Sequence, residues 1–208
     1  CRLCEVLDRS QFGELLGKPL ENYFSRQEYN NKCRNFHSLV LQTSSLRMGN
    51  GLNKVLPDLY LGNFKDARDR EQLARNNITH ILSIHDSAAP ILPEITYLCI
   101  SAADLPTQNL TQHFKQSIMF MHESRLKGEG CLVHCLAGVS RSVSLVVAYI
   151  MTVTGLGWQE ALAAVRVARP CAGPNLGFQR QLQEFETTHA DQVNTEGDRG
   201  WTEGKMSV

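Results

Sequence analysis

A chain of 208 residues with 21 Lys plus Arg and 21 Asp plus Glu has no formal net charge, which gives no reason to expect nucleic acid or an acidic surface as partner. The length suits one domain plus extensions, with enough chain to bury a sizeable core. No apolar run is long enough to span a membrane, and no secretory signal pattern opens the sequence.

The 7 cysteines are scattered and odd in number. That is the pattern of free thiols in a reducing compartment, cytoplasm or nucleus, and not of a disulfide framework. Cys131 and Cys135 flank His134, but no second pair completes a set of zinc ligands. Neither metal nor cofactor is expected. Cys99 and Cys171 read as small buried hydrophobes.

Residues 1–47 carry mixed charges, an Asn-rich patch ("EYNNKCRN") and no sustained period, so a poorly ordered extension is expected there. "VLPDLYLG" (55–62), with Pro57 near its start, suits a single edge strand. "NFKDARDREQLARNN" (63–77) reads as a helix with Asn63 as N-cap and Asp66 in its first turn. "ITHILSIH" (78–85) and "ITYLCI" (95–100) are buried strands. From Asn109 onward, Leu110, Phe114, Ile118 and Met121 share one helical face. "CLVHC" (131–135) reads as a central parallel strand. "SLVVAYIMTV" (144–153), apolar all round and too short for a membrane, is a buried central helix. "WQEALAAVRVA" gives another helix, and Phe178, Leu182 and Phe185 mark the inner face of a last one. The polar stretch 189–208 is expected to be a disordered tail. Alternating strands and helices predict a single α/β domain over 48–188, with a mostly parallel central sheet covered by helices on both faces.

Ligands of such sheets bind beyond the carboxyl ends of the strands. "VHCLAGVSRS" (133–142) lies at such a place. Gly138 permits the tight curl that turns successive N–H groups inward, and the following helix start favours an anion. Leu136, Ala137, Gly138, Val139 and Ser140 would thus line a phosphate cradle, and Arg141 would clamp two oxygens bidentately. The same positive field would stabilise a Cys135 thiolate as nucleophile. His134 would orient the loop, and Ser142 would donate to the sulfur and help it leave a phosphocysteine.

"HCLAGVSRS" matches the signature of the cysteine-dependent protein phosphatases, and 48–188 resembles the small atypical dual-specificity phosphatases. The resemblance implies hydrolysis of phosphotyrosine and phosphoserine or phosphothreonine through a phosphocysteine intermediate. It implies phosphoprotein substrates, including members of MAP-kinase pathways of the JNK type. Asp104 in "SAADLPTQNL" stands where the family carries its general acid; Asp86 in "SIHDSAAP" is the rival, after an earlier strand. Asn109 would either brace that loop or cap the next helix. Asn175, in "RPCAGPNLGFQRQL", would either bond to the phosphate loop or cap the last helix. No charge lies within 136–140, which argues against a polyanionic lipid headgroup. A phosphate-binding scaffold of the same fold would be marked by loss of the Cys, the Arg or the acid, and all three are present. A thiol redox protein would carry a C-x-x-C pair, which this chain lacks.

"MGNGLN" (48–53) resembles an N-myristoylation start, with Gly49 as acceptor if a product begins at Met48. Asn53 departs from the usual Ser or Thr of that pattern. Such a lone acyl chain would give reversible membrane association, and no other membrane affinity is expected.

Overall fold

The computed structural model describes residues 51–199, with side chains as far as 188. The expectations for 1–47 and for Met48 and Gly49 lie outside the described residues. Five strands form one sheet in the order β1-β2-β5-β3-β4. They are β1 (Asn53–Leu56), β2 (Leu59–Gly62), β3 (Ile78–Ile84), β4 (Thr96–Ile100) and β5 (Gly130–His134). β2, β5, β3 and β4 run parallel, and β1 alone is antiparallel.

The single strand expected over 55–62 is a hairpin. Pro57 has no N–H to give a ladder, and Asp58 takes φ 58°, so the chain reverses there and Leu56 pairs with Leu59. The helix expected over 63–77 is also broken. A 3₁₀ turn covers Asp66–Arg68, and α1 (Arg70–Arg75) follows with Asp69 as its cap, accepting from the Gln72 N–H at 3.0 Å. Asn63 caps the turn instead, accepting from the Lys65 and Asp66 amides.

Strand alternation divides the core. Leu59, Leu61, Cys131, Val133, Leu82 and Ile84 face one side, where α2 (Thr111–Leu126), α3 (Arg141–Thr154), α4 (Trp158–Ala168) and α5 (Leu176–Arg199) pack. Tyr60, Leu132 and Ile81 face the other, covered by Ala67, Leu73 and Leu92. Helices therefore lie on both faces, as expected, but unequally: four long ones against the short α1. α3 is the pillar of the thick side, its first twelve residues all buried. Gly155, at φ 70°, ends it.

Two further expectations fail. Cys171 is exposed and Cys99 only half-buried, because one lies in a loop and the other on the edge strand β4. Over 189–199, the first part of the expected disordered tail, the backbone stays helical to Arg199 with no proline to break it, and 200–208 lie outside the described residues.

Leu61→Ala, in the centre of the thick layer, should lower unfolding free energy by about 2–5 kcal/mol. Leu105→Ala, at an exposed position, should change it by less than about 0.5 kcal/mol. Urea unfolding followed by circular dichroism checks both.

Candidate active site

β5 ends at His134 and α3 begins at Arg141. The loop between them has each of its carbonyls held from outside. Cys135 O accepts from His134 Nδ1 (3.2 Å) and Leu136 O from the Phe64 amide (3.2 Å). Ala137 O and Gly138 O accept from Arg169 (3.3 and 2.6 Å). Val139 O accepts from the Gly173 amide and Ser140 O from the Ser144 amide, both at 2.9 Å. A trans peptide plane points its N–H opposite its carbonyl, and no peptide among the described residues is cis. Carbonyls fixed outward therefore turn the amides inward. Gly138 makes the curl at φ 68°, and a Cβ there would fall 2.4 Å from Gly62 O. Only glycine fits between the loop and the end of β2.

Cys135 sits at the base of this nest. The Gly138 N–H reaches its Sγ at 3.1 Å and the Ser142 hydroxyl at 3.3 Å. Burial alone would push the thiol pKa up. The Ser142 hydroxyl and the Ser142, Val139 and Gly138 amides outweigh it, so the pKa lies below the ordinary value. Cys131, buried in β5 without such donors, is driven up instead, by burial. His134 is also buried; that burial holds its pKa down to about 4, against the bond to the Cys135 carbonyl. The ring is therefore neutral at pH 7 and donates through Nδ1.

Arg141 is almost wholly buried at the mouth of the loop. Its Nη1 donates to Ala102 O (2.9 Å) and Asp86 Oδ2 (3.2 Å), and its Nε lies 3.6 Å from Asp104 Oδ2. Both candidate carboxylates thus face the same guanidinium. They differ in their other contacts. Asp104 Oδ1 accepts from the Ser140 hydroxyl (2.7 Å) and from Asn175 Nδ2 (2.9 Å), which ties it to the cysteine loop. The Asp86 side chain is 60% exposed.

Asn175 combines the two readings left open. Its Oδ1 caps α5 by accepting from the Phe178 amide, and its own N–H donates to Ser140 Oγ at 3.1 Å. Asn109 accepts from the Gln112 amide and so caps α2. The loop carrying Asp104 is braced instead by Gln108 and Gln181. Gln108 Oε1 accepts from the Ala103 amide (3.1 Å), and Gln181 Nε2 donates to Gln108 O (2.8 Å). Pro106 lies against Gly177 so tightly that a Cβ there would fall 1.9 Å from Pro106 O.

Arg169, Gln108 and Gln181 escaped the sequence reading. The signal for Arg169 was its place: it follows the apolar run of α4 directly, where a buried arginine has to find acceptors. Gln108 and Gln181 are polar residues in polar surroundings, with no comparable signal.

A thiol ringed by inward amides, with a guanidinium at the rim and a carboxylate on a facing loop, suits attack on a phosphate ester. Known proteins agree. Residues 59–188 match the model of the dual specificity phosphatase catalytic domain. The chain belongs to that family. It is 84% identical over 145 residues to dual specificity protein phosphatase 22-B of Danio rerio, covering 70% of this chain and 79% of the relative. It is 72% identical over 139 residues to dual specificity protein phosphatase 22 of Homo sapiens, covering 67% and 76%. The crystal structure of DUSP15 superposes with a TM-score of 0.67 at 52% identity, over 75% of this chain and all of that one. This chain is a dual-specificity protein phosphatase with phosphoprotein substrates.

The histidines predict an acid-sensitive phosphatase domain. Burial lowers the pKa of His134, and also of His80, His85 and His113. Below the unfolded value of 6.5 the unfolded chain binds protons that the fold refuses. Stability should therefore fall as pH drops from about 6.5 towards 4. Thermal melts of the wild type across that range should show the decline, and His134→Gln should flatten it.

Proposed function

We propose that Cys135 is the nucleophile, Arg141 the phosphate clamp and Asp104 the general acid and base. The observation that carries this reading is the convergence of the Gly138 amide and the Ser142 hydroxyl on Cys135 Sγ. In the first step the thiolate attacks phosphorus in line. A P–S bond forms, the ester P–O bond breaks, and the leaving oxygen takes its proton from Asp104. The inward amides and Arg141 receive the charge of the equatorial oxygens. In the second step water attacks phosphorus and gives its proton to the Asp104 carboxylate. The P–S bond breaks with its electron pair on sulfur, assisted by the Ser142 hydroxyl. His134 acts one place removed, holding the Cys135 carbonyl. Leu136, Ala137, Gly138, Val139 and Ser140 supply the cradle, and Asn175 sets the distance between Asp104 and that cradle.

The proposed substrates are phosphoproteins of MAP-kinase pathways of the JNK type, supported by the resemblance of 48–188. The proposed compartment is cytoplasmic and nuclear, supported by the free thiols of Cys99, Cys131, Cys135 and Cys171. No single helix among the described residues is long and apolar enough to cross a membrane. Membrane association would come through Gly49 alone, in a product beginning at Met48.

Cys135→Ser should abolish turnover of an aryl phosphate while leaving the melting temperature within a few degrees of wild type. Residual activity within tenfold would remove Cys135 from its role. Asp104→Ala should lower kcat by roughly 10²–10⁴-fold for alkyl phosphoesters, the usual worth of a general acid. It should matter far less for an activated aryl ester, whose leaving oxygen is stable as an anion. Equal, small losses on both would transfer the role to Asp86.

For the lipid, a chain beginning at Met48 should gain one myristoyl mass when co-expressed with the transferase. The 208-residue chain, with the Gly49 nitrogen in a peptide bond, should not. An unmodified Met48 chain would mean that Asn53 disqualifies the pattern.

A further inference from the structure

Arg169 is 1% exposed, and every acceptor it meets is a neutral oxygen: Gly138 O, Ala137 O, Asn53 Oδ1 and Gly51 O. No carboxylate neutralises it among the described residues. A guanidinium held without a counter-ion is expensive to bury unless hydrogen bonds replace its hydration. Here they do, and their placement is specific. The Ala137–Gly138 peptide has its carbonyl on Arg169 and its N–H on Cys135 Sγ. The Gly138–Val139 peptide has its carbonyl on Arg169 Nε, and its N–H is among the groups that stabilise the thiolate. Arg169 therefore grips the back of the two planes whose fronts face the sulfur.

We propose that Arg169 is a positioning residue that locks the 135–141 loop with its amides inward, and that Asn53 holds Arg169 in register. The inference rests on Cys135 being the nucleophile. Two effects combine. Peptide planarity converts a fixed carbonyl into a fixed N–H. A buried positive charge on the carbonyl side also polarises each peptide, making its N–H a stronger donor to an anion in a medium of low dielectric. Asn53 supplies the far anchor: its Oδ1 accepts from Arg169 Nη1 at 2.6 Å. The N-terminal segment is fixed further by the Leu52 amide, which donates to Gln72 Oε1 at 2.7 Å. The first strand of the domain is in this way tied to the phosphate loop through one side chain.

The test uses Arg169→Met, Arg169→Lys and Asn53→Ala in the 208-residue chain, each checked for a cooperative melt. Three quantities are read: the pH midpoint of Cys135 alkylation by iodoacetamide, inhibition by orthovanadate, and kcat/KM for an aryl phosphate. Arg169→Met should raise the alkylation midpoint by about one pH unit, as loss of donors to a thiolate does. It should also weaken vanadate inhibition and lower kcat/KM on the order of 10²-fold. Arg169→Lys should recover little, since one ammonium cannot span both carbonyls and Asn53. Asn53→Ala, the milder change, should move all three in the same direction by less. It keeps the proposal testable if Arg169→Met melts without cooperativity. A folded Arg169→Met or Asn53→Ala with unchanged alkylation midpoint and vanadate affinity would overturn the inference. Were Cys135→Ser to remain active, the nucleophile assignment would fall instead. The vanadate arm would still report on the loop.

Discussion

The site depends on which way a few peptide planes face. Between β5 and α3 the carbonyls of 135–140 are each engaged by a partner outside the loop: a ring nitrogen, three amides and one guanidinium. His134 and Ser144 are neighbours in sequence, but the other partners are distant. Phe64 follows β2, Gly173 follows α4, and Arg169 ends α4. The loop conformation therefore depends on the whole sheet and its thick helical layer as well as on Gly138 within Leu-Ala-Gly-Val-Ser. That explains why β5 lies in the middle of the sheet. A central strand, paired on both sides with β2 and β3, can deliver Cys135 to a point reached by elements from both directions.

The charges follow from the same geometry. Arg141 faces Asp86 and Asp104 together, and Asp104 is bonded as well to Ser140 and Asn175. In the proposed reaction a phosphate dianion would compete with both carboxylates for that guanidinium. Asp104 keeps its place through neutral donors, Ser140 and Asn175, whereas Asp86 is largely in solvent. Of the two, Asp104 is thus the carboxylate tied to the cysteine loop by bonds that do not involve Arg141. This distinction comes from hydrogen bonds and not from distance to Arg141, by which Asp86 is the nearer.

The sequence was most informative where one residue type has one physical use. The short apolar run "CLVHC", the all-round apolar "SLVVAYIMTV" and the Gly138 curl led directly to strand, buried helix and loop. Local reading failed where a choice was decided by distant partners. Pro57 and Asp58 turned one strand into two, since a missing donor and one positive φ outweigh apolar continuity. Asp69 displaced Asn63 as helix cap, because both are good caps and only the tertiary path of 63–68 ranks them. Asn175 read as either cap or loop partner and is both: backbone and side chain act independently. Arg169 was legible as an oddity, a cation closing an apolar helix, but its acceptors lie 31 and 116 residues away.

Asn53 shows how such distant demands shape even a short motif. In the lipidation pattern its position favours Ser or Thr, whose hydroxyl sits one bond nearer the backbone than an amide oxygen. At this position of β1 the interior asks for an acceptor that reaches a buried guanidinium, and Asn53 Oδ1 does so at 2.6 Å. A hydroxyl would fall short and leave Arg169 Nη1 with only Gly51 O, at 3.5 Å, the limit of a hydrogen bond. An unsatisfied buried donor on a charged group carries a penalty on the order of 1–3 kcal/mol or more. The choice of Asn at position 53 is thus accounted for by the core.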